Sequence, residues 1–372
     1  MGMKHKALLF LIPSLRGGGA ERVVSTLLRH FDYSRFRITL AVVDMRGAVY
    51  QDELPLEVEL VDLGCTRVRY ALPKIAWLIW RRRPDTVFST LGHLNVGLAM
   101  IRRLLPNDVR YVARESSLIS DTLRGYAAQA QWRWAYCHLY RRFDAVVCQS
   151  RDMLEDLVAN FGFPPEKAVV IHNPLDIDRI QTLANDEMGT VPFSSDESAG
   201  KGVRLVSAGR LSPEKGFDML IDAVALCRDA RLQLVLLGEG ATRTELEARA
   251  REKGISHQVH FAGFQKNPYP FLRHADAFIL SSRFEGFPNV VLEALACGTP
   301  VIATPAPGGL REMLQGLDGC VIAESVDGVA LAAAISHWLQ YRNHSFDGAA
   351  HVAQFSVRHI VARYEQILAL PS

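Results

Sequence analysis

The sequence lacks any long hydrophobic run and any cysteine framework. Its N-terminal apolar stretch, Ala7–Ile12, has six residues. That is too short for a signal-peptide core or for the roughly 18 apolar residues of a membrane span. Six cysteines occur, but none form a Cys-x-x-Cys pair, so neither a metal-ligand spacing nor a disulfide framework is visible. We therefore expect buried thiols, no bound metal and a cytoplasmic protein that does not span a membrane.

Length and composition favour two folded domains. A chain of 372 residues is too long for one ordinary core, and two domains of roughly 150–200 residues each are expected. Hydrophobic residues make up 49% and charged residues 22%, which excludes a disordered chain. The net charge of +2 is unevenly distributed, because Thr66 to Arg142 holds fourteen Arg or Lys and four Asp or Glu. This basic half predicts an acidic partner surface.

Short apolar runs alternate with amphipathic segments along most of the chain. This alternation predicts βαβ units and parallel sheets covered by helices on both faces. The predicted strands are Lys6–Ile12, Ile38–Val43, Val58–Leu63, Asp85–Thr90, Arg110–Ala113, Asp144–Gln149, Ala168–Ile171, Arg204–Ala208, Leu232–Leu237, Gln258–Phe261, Ala277–Leu280, Pro300–Ala303 and Cys320–Ala323. The pattern breaks once, over 175–202, where polar residues and glycine predict a linker. It separates a domain over 1–174 from a second over 203–354.

Glycines and charged residues concentrate after the predicted strand ends, where parallel sheets bind ligands. Gly17, Gly18 and Gly19 lie between a strand and a helix, and bare amides there suit a phosphate. A dinucleotide fingerprint fails because Arg22 stands where its last glycine is needed. A tight turn without a ligand is the alternative for this loop.

A second loop carries Arg210 and Lys215 around Pro213. Arg grips phosphate oxygens bidentately and Lys adds a mobile charge, so this pair suits a departing diphosphate. A solvated surface pair is the alternative.

The segment 285–300 is the most informative part of the sequence. Pro288 suits the first turn of a helix and Gly298 its end. Glu285 precedes this helix and Glu293 lies inside it. Eight helical residues span about 12 Å, which is too far for the carboxylate pair of a glycosidase at about 5–10 Å. We therefore expect two contacts on one extended ligand, to a sugar and to a ribose, with a diphosphate between them at the amides of Gly286, Phe287 and Asn289.

Four segments together resemble the retaining glycosyltransferase family 4, which has the GT-B fold. The segment 285–300 is similar to its Glu-x7-Glu signature, 18–23 to its glycine loop, 209–216 to its diphosphate motif and 170–176 to its hinge. The resemblance implies an α/β protein with two Rossmann-like parallel-sheet domains facing a central cleft. The first domain would bind the acceptor and the second the nucleotide sugar. A terminal helix over 355–372 would return to the first domain.

The resemblance also implies roles for individual residues. Arg210 and Lys215 would hold the diphosphate, Glu285 the sugar hydroxyls and Glu293 the ribose. The implied donor site comprises Gly18, Gly19, Arg210, Lys215, Glu285, Gly286, Phe287, Pro288, Asn289, Val290 and Glu293, with Arg210, Lys215 and Glu285 as its catalytic group.

The implied reaction is retaining transfer by front-face attack, with no metal, no other cofactor and no protein base. The donor would be a nucleoside diphosphate sugar, with uracil favoured over guanine. The acceptor would be a hydroxyl of a glycan or lipid-linked saccharide in lipopolysaccharide, O-antigen or capsule synthesis.

The sequence departs from the family after the strand Arg110–Ala113. Many relatives carry a histidine there, near the reacting sugar, where this chain has Arg114-Glu115-Ser116. His93, after the preceding strand, is a candidate substitute, and Glu115 is a candidate contact to the acceptor hydroxyl. A plain loop histidine and a solvated carboxylate are the respective alternatives.

Tryptophan lies beside arginine throughout the basic half, which predicts peripheral binding to an anionic membrane. The residues concerned are Trp77, Trp80, Arg81, Arg82, Arg83, Arg102, Arg103, Trp132, Arg133, Trp134, Arg141 and Arg142. Ordinary helices with an Arg-rich exterior are the alternative, and nucleic acid is disfavoured because no recognition motif accompanies the charge.

Two other functions stay open at this point. One is a nucleotide-sugar epimerase of the same fold. The other is a non-catalytic sugar- or lipid-binding module, which the Arg210, Lys215 and Glu285 set disfavours because it suits a charged leaving group.

Overall fold

The computed structural model of the protein describes residues 5–186, 202–342 and 346–371. The chain forms two compact units. The first is built from Met1–Pro174 and Phe355–Ser372, and the second from Leu175–Gln354.

The first unit contains a parallel sheet of seven strands. They are β1 (Lys6–Ser14), β2 (Phe36–Asp44), β3 (Glu59–Asp62), β4 (Thr86–Thr90), β5 (Arg110–Arg114), β6 (Ala145–Cys148) and β7 (Ala168–Val170), in the spatial order β3-β2-β1-β4-β5-β6-β7. The helices between them are α1 (Gly19–His30), α2 (Val68–Arg82), α3 (Gly92–Ile101), α4 (Ile119–Arg124), α5 (Gln129–His138) and α6 (Arg151–Phe161).

The central strand β1 shows why the apolar runs form a parallel sheet. Its Leu8 pairs with Ile38 of β2 on one side and with Thr86 of β4 on the other. Both faces of the strand are buried, so a continuous apolar run is required rather than an alternating one. The apolar stripe of α1 covers one face, where Phe10 meets Phe31 edge to face at 5.7 Å between ring centroids.

The second unit begins with α7 (Ile177–Leu183) and contains a parallel sheet of six strands. The strands are β8 (Val203–Ala208), β9 (Leu232–Leu237), β10 (Val259–Gly263), β11 (Ala277–Leu280), β12 (Val301–Ala303) and β13 (Val321–Ile322), in the order β10-β9-β8-β11-β12-β13. The helices are α8 (Phe217–Cys227), α9 (Arg243–Glu252), α10 (Tyr269–Arg273), α11 (Asn289–Ala296), α12 (Leu310–Leu314), α13 (Gly328–Tyr341) and α14 (Gly348–Val352).

The last helix, α15 (Val357–Ala369), packs in the first unit. Its Ile360, Val361, Tyr364 and Leu368 are buried in the cluster that also holds β1. Tyr364 meets Phe88 of β4 edge to face, and the Thr86 hydroxyl donates to the Leu368 carbonyl at 2.9 Å. The apolar side chains of this helix are therefore buried in the same core as β1.

All thirteen predicted strands have counterparts in the two sheets. Their ends differ by a few residues: β1 and β2 continue past the apolar run to the paired Ser14 and Asp44, whereas β3 and β6 are shorter than predicted. The segment predicted as a linker begins with α7, whose first turn is capped by the Asp176 carboxylate accepting from the Arg179 amide at 3.3 Å. The part of that linker over 187–201 lies outside the described residues.

The cysteines differ from the expectation of buried thiols. All six are unpaired, and Cys148 alone is fully buried, while the other five are half-buried. Burial raises the pKa of Cys297 to about 12 and that of Cys320 to about 11, so these thiols are protonated at neutral pH. Of the helices in the described ranges, none has the length and hydrophobicity needed to cross a bilayer.

Candidate active site

In the second unit, the loops that follow β8 and β11 bring Lys215 and Glu285 together. These strands are neighbours, with Phe278 paired to Val206, so their carboxyl ends meet at one sheet edge. Lys215 Nζ donates to Glu285 Oε1 at 2.6 Å, and the Ser282 hydroxyl donates to the same oxygen at 2.6 Å. The Glu285 side chain is 11% exposed, and within the described residues no hydrogen bond reaches its Oε2. One carboxylate oxygen is thus fixed while the other is left available to a ligand.

The two loops are also joined through their backbones. The Ser281 hydroxyl donates to the Lys215 carbonyl at 2.9 Å, and the Arg283 amide donates to the Glu214 carbonyl at 2.8 Å. Gly216 lies against this junction with φ +64°, and a Cβ there would come within 2.1 Å of the Ser281 carbonyl oxygen. Only glycine fits this position.

A third loop, after β12, supports Glu285 from another side. Gly308 has φ +122°, and a Cβ there would lie 2.0 Å from the Glu285 carbonyl oxygen. The Glu285 amide donates to the Pro307 carbonyl at 3.1 Å, and the Gly309 amide donates to the Gly286 carbonyl at 2.9 Å. The position of Glu285 is therefore set by its backbone as well as by its side-chain hydrogen bonds.

Helix α11 carries the rest of the predicted donor segment. It begins at Asn289 with Pro288 as N-cap, one residue later than the predicted first-turn position of Pro288, and Gly298 follows its end with φ +79°. Glu293 is 5% exposed within this helix. The remaining members of the segment are Gly286, Phe287 and Pro288, which are buried before the helix, and Val290, which is half-buried in its first turn.

Arg210 and the glycine loop differ in how accessible they are. Arg210 is exposed, and no described residue forms a hydrogen bond or ion pair with its guanidinium. Gly18 caps α1 and Gly19 begins it, in the first unit. The Glu21 carboxylate lies over Gly18, where a Cβ would be 2.2 Å from its Oε2, and accepts from the Ser14 hydroxyl at 3.0 Å. A negative charge thus already faces the amides of this helix N-terminus.

In the first unit, Glu115 and His93 line one pocket of about 90 Å³. The complete lining is Leu91, Gly92, His93, Glu115, Ser116, Ser117, Ile119, Thr122, Tyr126 and Tyr136. Glu115 is 3% exposed, whereas His93 is exposed on the first turn of α3. The alternative of a plain solvated carboxylate at Glu115 is therefore wrong, because the loop turns this carboxylate inward.

Glu115 is held by two neutral donors. The Asn95 amide donates to Glu115 Oε1 at 2.9 Å, and the Tyr140 hydroxyl donates to the same oxygen. Burial raises the pKa of Glu115 to about 7, while the hydrogen bonds from Tyr140 and Asn95 and the charge of Arg114 act in the opposite direction. A carboxyl group with this pKa changes its charge near neutral pH.

The backbone beside Glu115 adopts an uncommon conformation. Leu91 has φ +75° and ψ 124°, in a region that residues with a Cβ rarely occupy. At the next residue, a Cβ on Gly92 would lie 2.1 Å from the Tyr136 hydroxyl and 3.4 Å from Glu115 Oε2. The close approach of these polar atoms to the backbone therefore requires glycine at position 92.

A buried arginine connects this pocket to the rest of the first unit. Arg114 is fully buried and donates to Tyr364 of α15 at 3.1 Å, to Thr90 at 3.2 Å and to Asn173 at 2.6 Å. The chain of hydrogen bonds continues from Asn173 to Gln149 and from Gln149 to the Glu115 carbonyl. The ends of β4, β5, β6 and β7 and the terminal helix are thus linked through one guanidinium.

Several residues that complete these sites were not singled out from the sequence. They are Asn95, Tyr140, Tyr136, Ser282 and Gly308. Each is remote in sequence from its partner or is of a type common elsewhere. Of these residues, only Gly308 could have been found from the sequence, because it follows a predicted strand, where glycines of ligand-binding loops are expected. Across the described ranges, no group of three His, Cys, Asp or Glu side chains is arranged to hold a metal ion.

The chain consists of two parallel α/β units, of seven and six strands. At the strand ends of the second unit lie the Lys215–Glu285 pair and helix α11, whose N-cap residue is Pro288. These features together define the GT-B class. The structure resembles that of Anabaena Alr3699/HepE in complex with UDP, with a TM-score of 0.78 at 20% identity over 98% of this chain and 99% of that one. This likeness shows the fold.

The sequence places the chain within that class. Residues 17–179 match Glycosyltransferase Family 4, and residues 193–347 match Glycosyl transferases group 1. A Campylobacter jejuni N-acetylgalactosamine-N,N'-diacetylbacillosaminyl-diphospho-undecaprenol 4-alpha-N-acetylgalactosaminyltransferase is 31% identical, over 81% of both chains. The lipopolysaccharide core biosynthesis glycosyltransferase LpsE of Rhizobium meliloti is 30% identical, over 78% of this chain and 87% of its own. The chain belongs to glycosyltransferase family 4, and of the three functions left open by the sequence it is the transferase.

Proposed function

We propose that the protein transfers a sugar, with retention, from a nucleoside diphosphate donor to a hydroxyl of a glycan or lipid-linked acceptor. The observation that carries this proposal is the Lys215–Glu285 pair, fixed at 2.6 Å at the ends of β8 and β11. Lys215 offers a cation to the departing diphosphate, and the available Oε2 of Glu285 offers an acceptor to a sugar hydroxyl. The two side chains are therefore placed to contact adjoining parts of one donor molecule, its diphosphate and its sugar.

The rest of the donor is assigned from the same edge of the sheet. The exposed guanidinium of Arg210 would bind a second phosphate, and the N-terminus of α11 adds favourable amides. The buried Glu293 would accept hydrogen bonds from the ribose. UDP is favoured as the nucleotide, since Anabaena Alr3699/HepE has been crystallised with UDP and with UDP-glucose.

In the proposed step, the bond between the anomeric carbon and the leaving phosphate oxygen breaks as an acceptor hydroxyl attacks the same face of the sugar. The hydroxyl proton passes to the departing phosphate, so no protein base is required. Negative charge grows on the diphosphate, and Arg210 and Lys215 stabilise it. This proposal needs no metal, and undiminished turnover after treatment with a chelator is its expected result.

The acceptor is proposed to bind in the first unit, with the Glu115 pocket contacting it and His93 at the rim. The name of the Campylobacter jejuni relative includes a diphospho-undecaprenol-linked saccharide, and that of LpsE places it in lipopolysaccharide core biosynthesis. By this analogy we place the protein in the synthesis of a cell-surface polysaccharide.

The test is transfer from a panel of UDP- and GDP-sugars by the purified protein and by Lys215→Ala and Glu285→Ala. Each substitution should lower turnover by about a hundredfold or more, since it removes a charge acting on the reacting groups. Arg231→Ala is the matched control, because Arg231 forms a 2.7 Å ion pair with Asp229 before β9 and therefore at the amino end of the sheet. Equal turnover in all three variants, with the fold intact, would refute the site assignment.

We also propose that α2 binds an anionic membrane through a Trp–Arg patch, defined as Trp77, Trp80, Arg81, Arg83 and Leu104. Trp77 and Leu104 are 61% and 73% exposed. The Arg83 guanidinium lies 4.4 Å from the Trp80 ring centroid, and the Trp80 ring nitrogen donates to the Leu104 carbonyl at 2.9 Å. Exposed indoles beside cations suit the interface of an anionic bilayer.

Other arginines of the basic half have structural partners. Arg133, Arg141 and Arg142 donate to the carbonyls of Asn160, Gly162 and Ala99 at 2.8–2.9 Å. Arg83 of the Trp–Arg patch is itself paired with Asp108 at 2.9 Å, so the patch is chosen for its exposed Trp77 and Leu104 rather than for unpaired arginines.

Flotation with vesicles of phosphatidylglycerol and phosphatidylcholine tests this patch. Binding should require phosphatidylglycerol and should be lost in Trp77→Ser/Leu104→Ser. Tyr341→Ser, which removes a 56% exposed aromatic from α13, should bind as the unaltered protein does. Flotation that is equal for both variants would remove the patch from the proposal.

A further inference from the structure

We propose that the Glu115 pocket binds the acetamido group of an amino sugar. This inference rests on the proposed sugar transfer and names the substituent that the first unit selects.

The volume of the pocket exceeds what a sugar hydroxyl needs. It measures about 90 Å³, whereas one water requires about 10–15 Å³ in the same measure. A bare hydroxyl has the size of one water and would leave most of the pocket empty. An acetamido group has four heavy atoms and fills it far better.

The wall supplies a buried acceptor for the amide N–H. Glu115 Oε1 already accepts from Asn95 and Tyr140, whereas no described residue donates to its Oε2. Among the described residues, Oε2 is not one of the fully buried atoms left without a partner, so it reaches the open space of the pocket, where a ligand N–H can replace water as its donor. An amide N–H beside the sugar ring is such a donor.

The acetyl part of the group needs apolar contacts for its methyl and a hydrogen-bond donor for its carbonyl, and other residues of the pocket supply both. Leu91 and Ile119 present apolar atoms for the methyl group. The Ser116 hydroxyl is half-buried, and no described residue bonds to it, so it can donate to the acetamido carbonyl. The neighbouring Ser117 and Thr122 hydroxyls are bonded to one another at 2.8 Å. The free Ser116 hydroxyl, Glu115 Oε2 and the apolar Leu91 and Ile119 together match an acetamido group.

The backbone beside the pocket is held in an unfavourable conformation. Leu91 adopts φ +75° and turns toward the pocket, and Gly92 lets the Tyr136 hydroxyl approach the chain. Strain of this kind persists where function requires it. Here it places an apolar side chain at the position that a methyl group would contact.

Since the acceptor is proposed to bind in the first unit, the acetamido group is assigned to the acceptor sugar, and two matched pairs of probes test this against the donor sugar. The first pair is UDP-N-acetylhexosamine and UDP-hexose. The second is the methyl glycosides of the N-acetylhexosamine and the hexose, tested with UDP present. Both pairs are prepared with gluco and galacto configuration. Titration calorimetry on the full chain at pH 8, where Glu115 with its pKa of about 7 is ionised, should show about tenfold tighter binding of the acetamido member in the acceptor pair, as expected for one hydrogen bond to a charged group.

Two substitutions at one position tie the preference to this pocket. Ser116→Ala removes the free hydroxyl and should reduce the preference several-fold, and Ser116→Leu fills the pocket and should abolish it. Glu115→Gln keeps the shape and removes the charge, so it serves as the second test if Ser116→Leu does not fold. UDP alone should bind all variants as it binds the unaltered protein.

Equal binding of both members in every pair, with UDP still bound, would overturn the acetamido assignment and leave the proposed transfer intact. A preference that persists in both Ser116→Leu and Glu115→Gln would place the acetamido site elsewhere and also overturn it. Failure of UDP and every UDP-sugar to bind would instead contradict the proposed function.

Discussion

Glu115 shows how a single buried carboxyl can make stability depend on pH. Its pKa is raised from 4.5 to about 7 in the folded protein, chiefly by burial. The folded state therefore binds its proton more tightly than the unfolded state does. The stabilising contribution is complete below about pH 4.5 and is lost as pH rises to about 7.

We predict that Glu115→Gln raises the free energy of unfolding at pH 8 by as much as about 3 kcal/mol. It should make little difference at pH 4. Urea denaturation of both proteins between pH 4 and 8 measures this. The decisive quantity is the difference between the two curves, because other groups titrate equally in both. A difference that is constant with pH would contradict the raised pKa of Glu115.

Gly216 tests the close contact that joins the Lys215 and Glu285 loops. Gly216→Ala combines a φ of +64° with a Cβ 2.1 Å from the Ser281 carbonyl oxygen. We expect a loss of about 2–4 kcal/mol in unfolding free energy, together with loss of transfer.

Gly254→Ala is the matched control for that substitution. Gly254 has φ +73°, but a Cβ there would have no neighbour within 4 Å. It should cost about 1 kcal/mol and leave transfer unchanged. Equal losses in both variants would mean that the close contact at Gly216 carries no energy of its own.

At the scale of an element, α15 stabilises the first unit by a buried hydrogen bond as well as by its apolar face. The Tyr364 hydroxyl accepts from Arg114 Nε at 3.1 Å, and both side chains are fully buried. Tyr364→Phe keeps the ring against Phe88 but leaves a charged donor without its acceptor.

We predict that Tyr364→Phe lowers the free energy of unfolding by about 1–3 kcal/mol. Tyr341→Phe on α13 should have almost no effect, because that side chain is 56% exposed. Chemical denaturation monitored by circular dichroism measures both. A Tyr364→Phe protein as stable as the unaltered one would show that a water replaces the lost acceptor.

At the scale of the whole molecule, the fold could be predicted from local pattern and the detail of the sites could not. Apolar runs such as Leu232–Leu237 predict buried strands because parallel sheets need continuous hydrophobic segments. The helix α7 was missed because its seven residues lie in a polar stretch, although Asp176 supplies an N-cap signal. The sequence placed Lys215 and Glu285 in one donor site but did not predict their direct hydrogen bond. The inward turn of Glu115 depends on Asn95 and Tyr140, and no local sequence pattern connects these residues to it.

The proposed donor site lies in the second unit, and this determines how a nucleotide should stabilise the protein. A ligand that binds only the folded state adds about 2.7 kcal/mol at a concentration one hundred times its Kd. We predict that UDP raises the unfolding temperature of the second unit. The rise should grow with UDP concentration and should depend on the Lys215 side chain. Scanning calorimetry with increasing UDP should show this shift in the unaltered protein and in Arg231→Ala, and a much smaller one in Lys215→Ala. A shift of equal size in Lys215→Ala would mean that UDP binds without that lysine, so the diphosphate contact would have to be assigned to other residues.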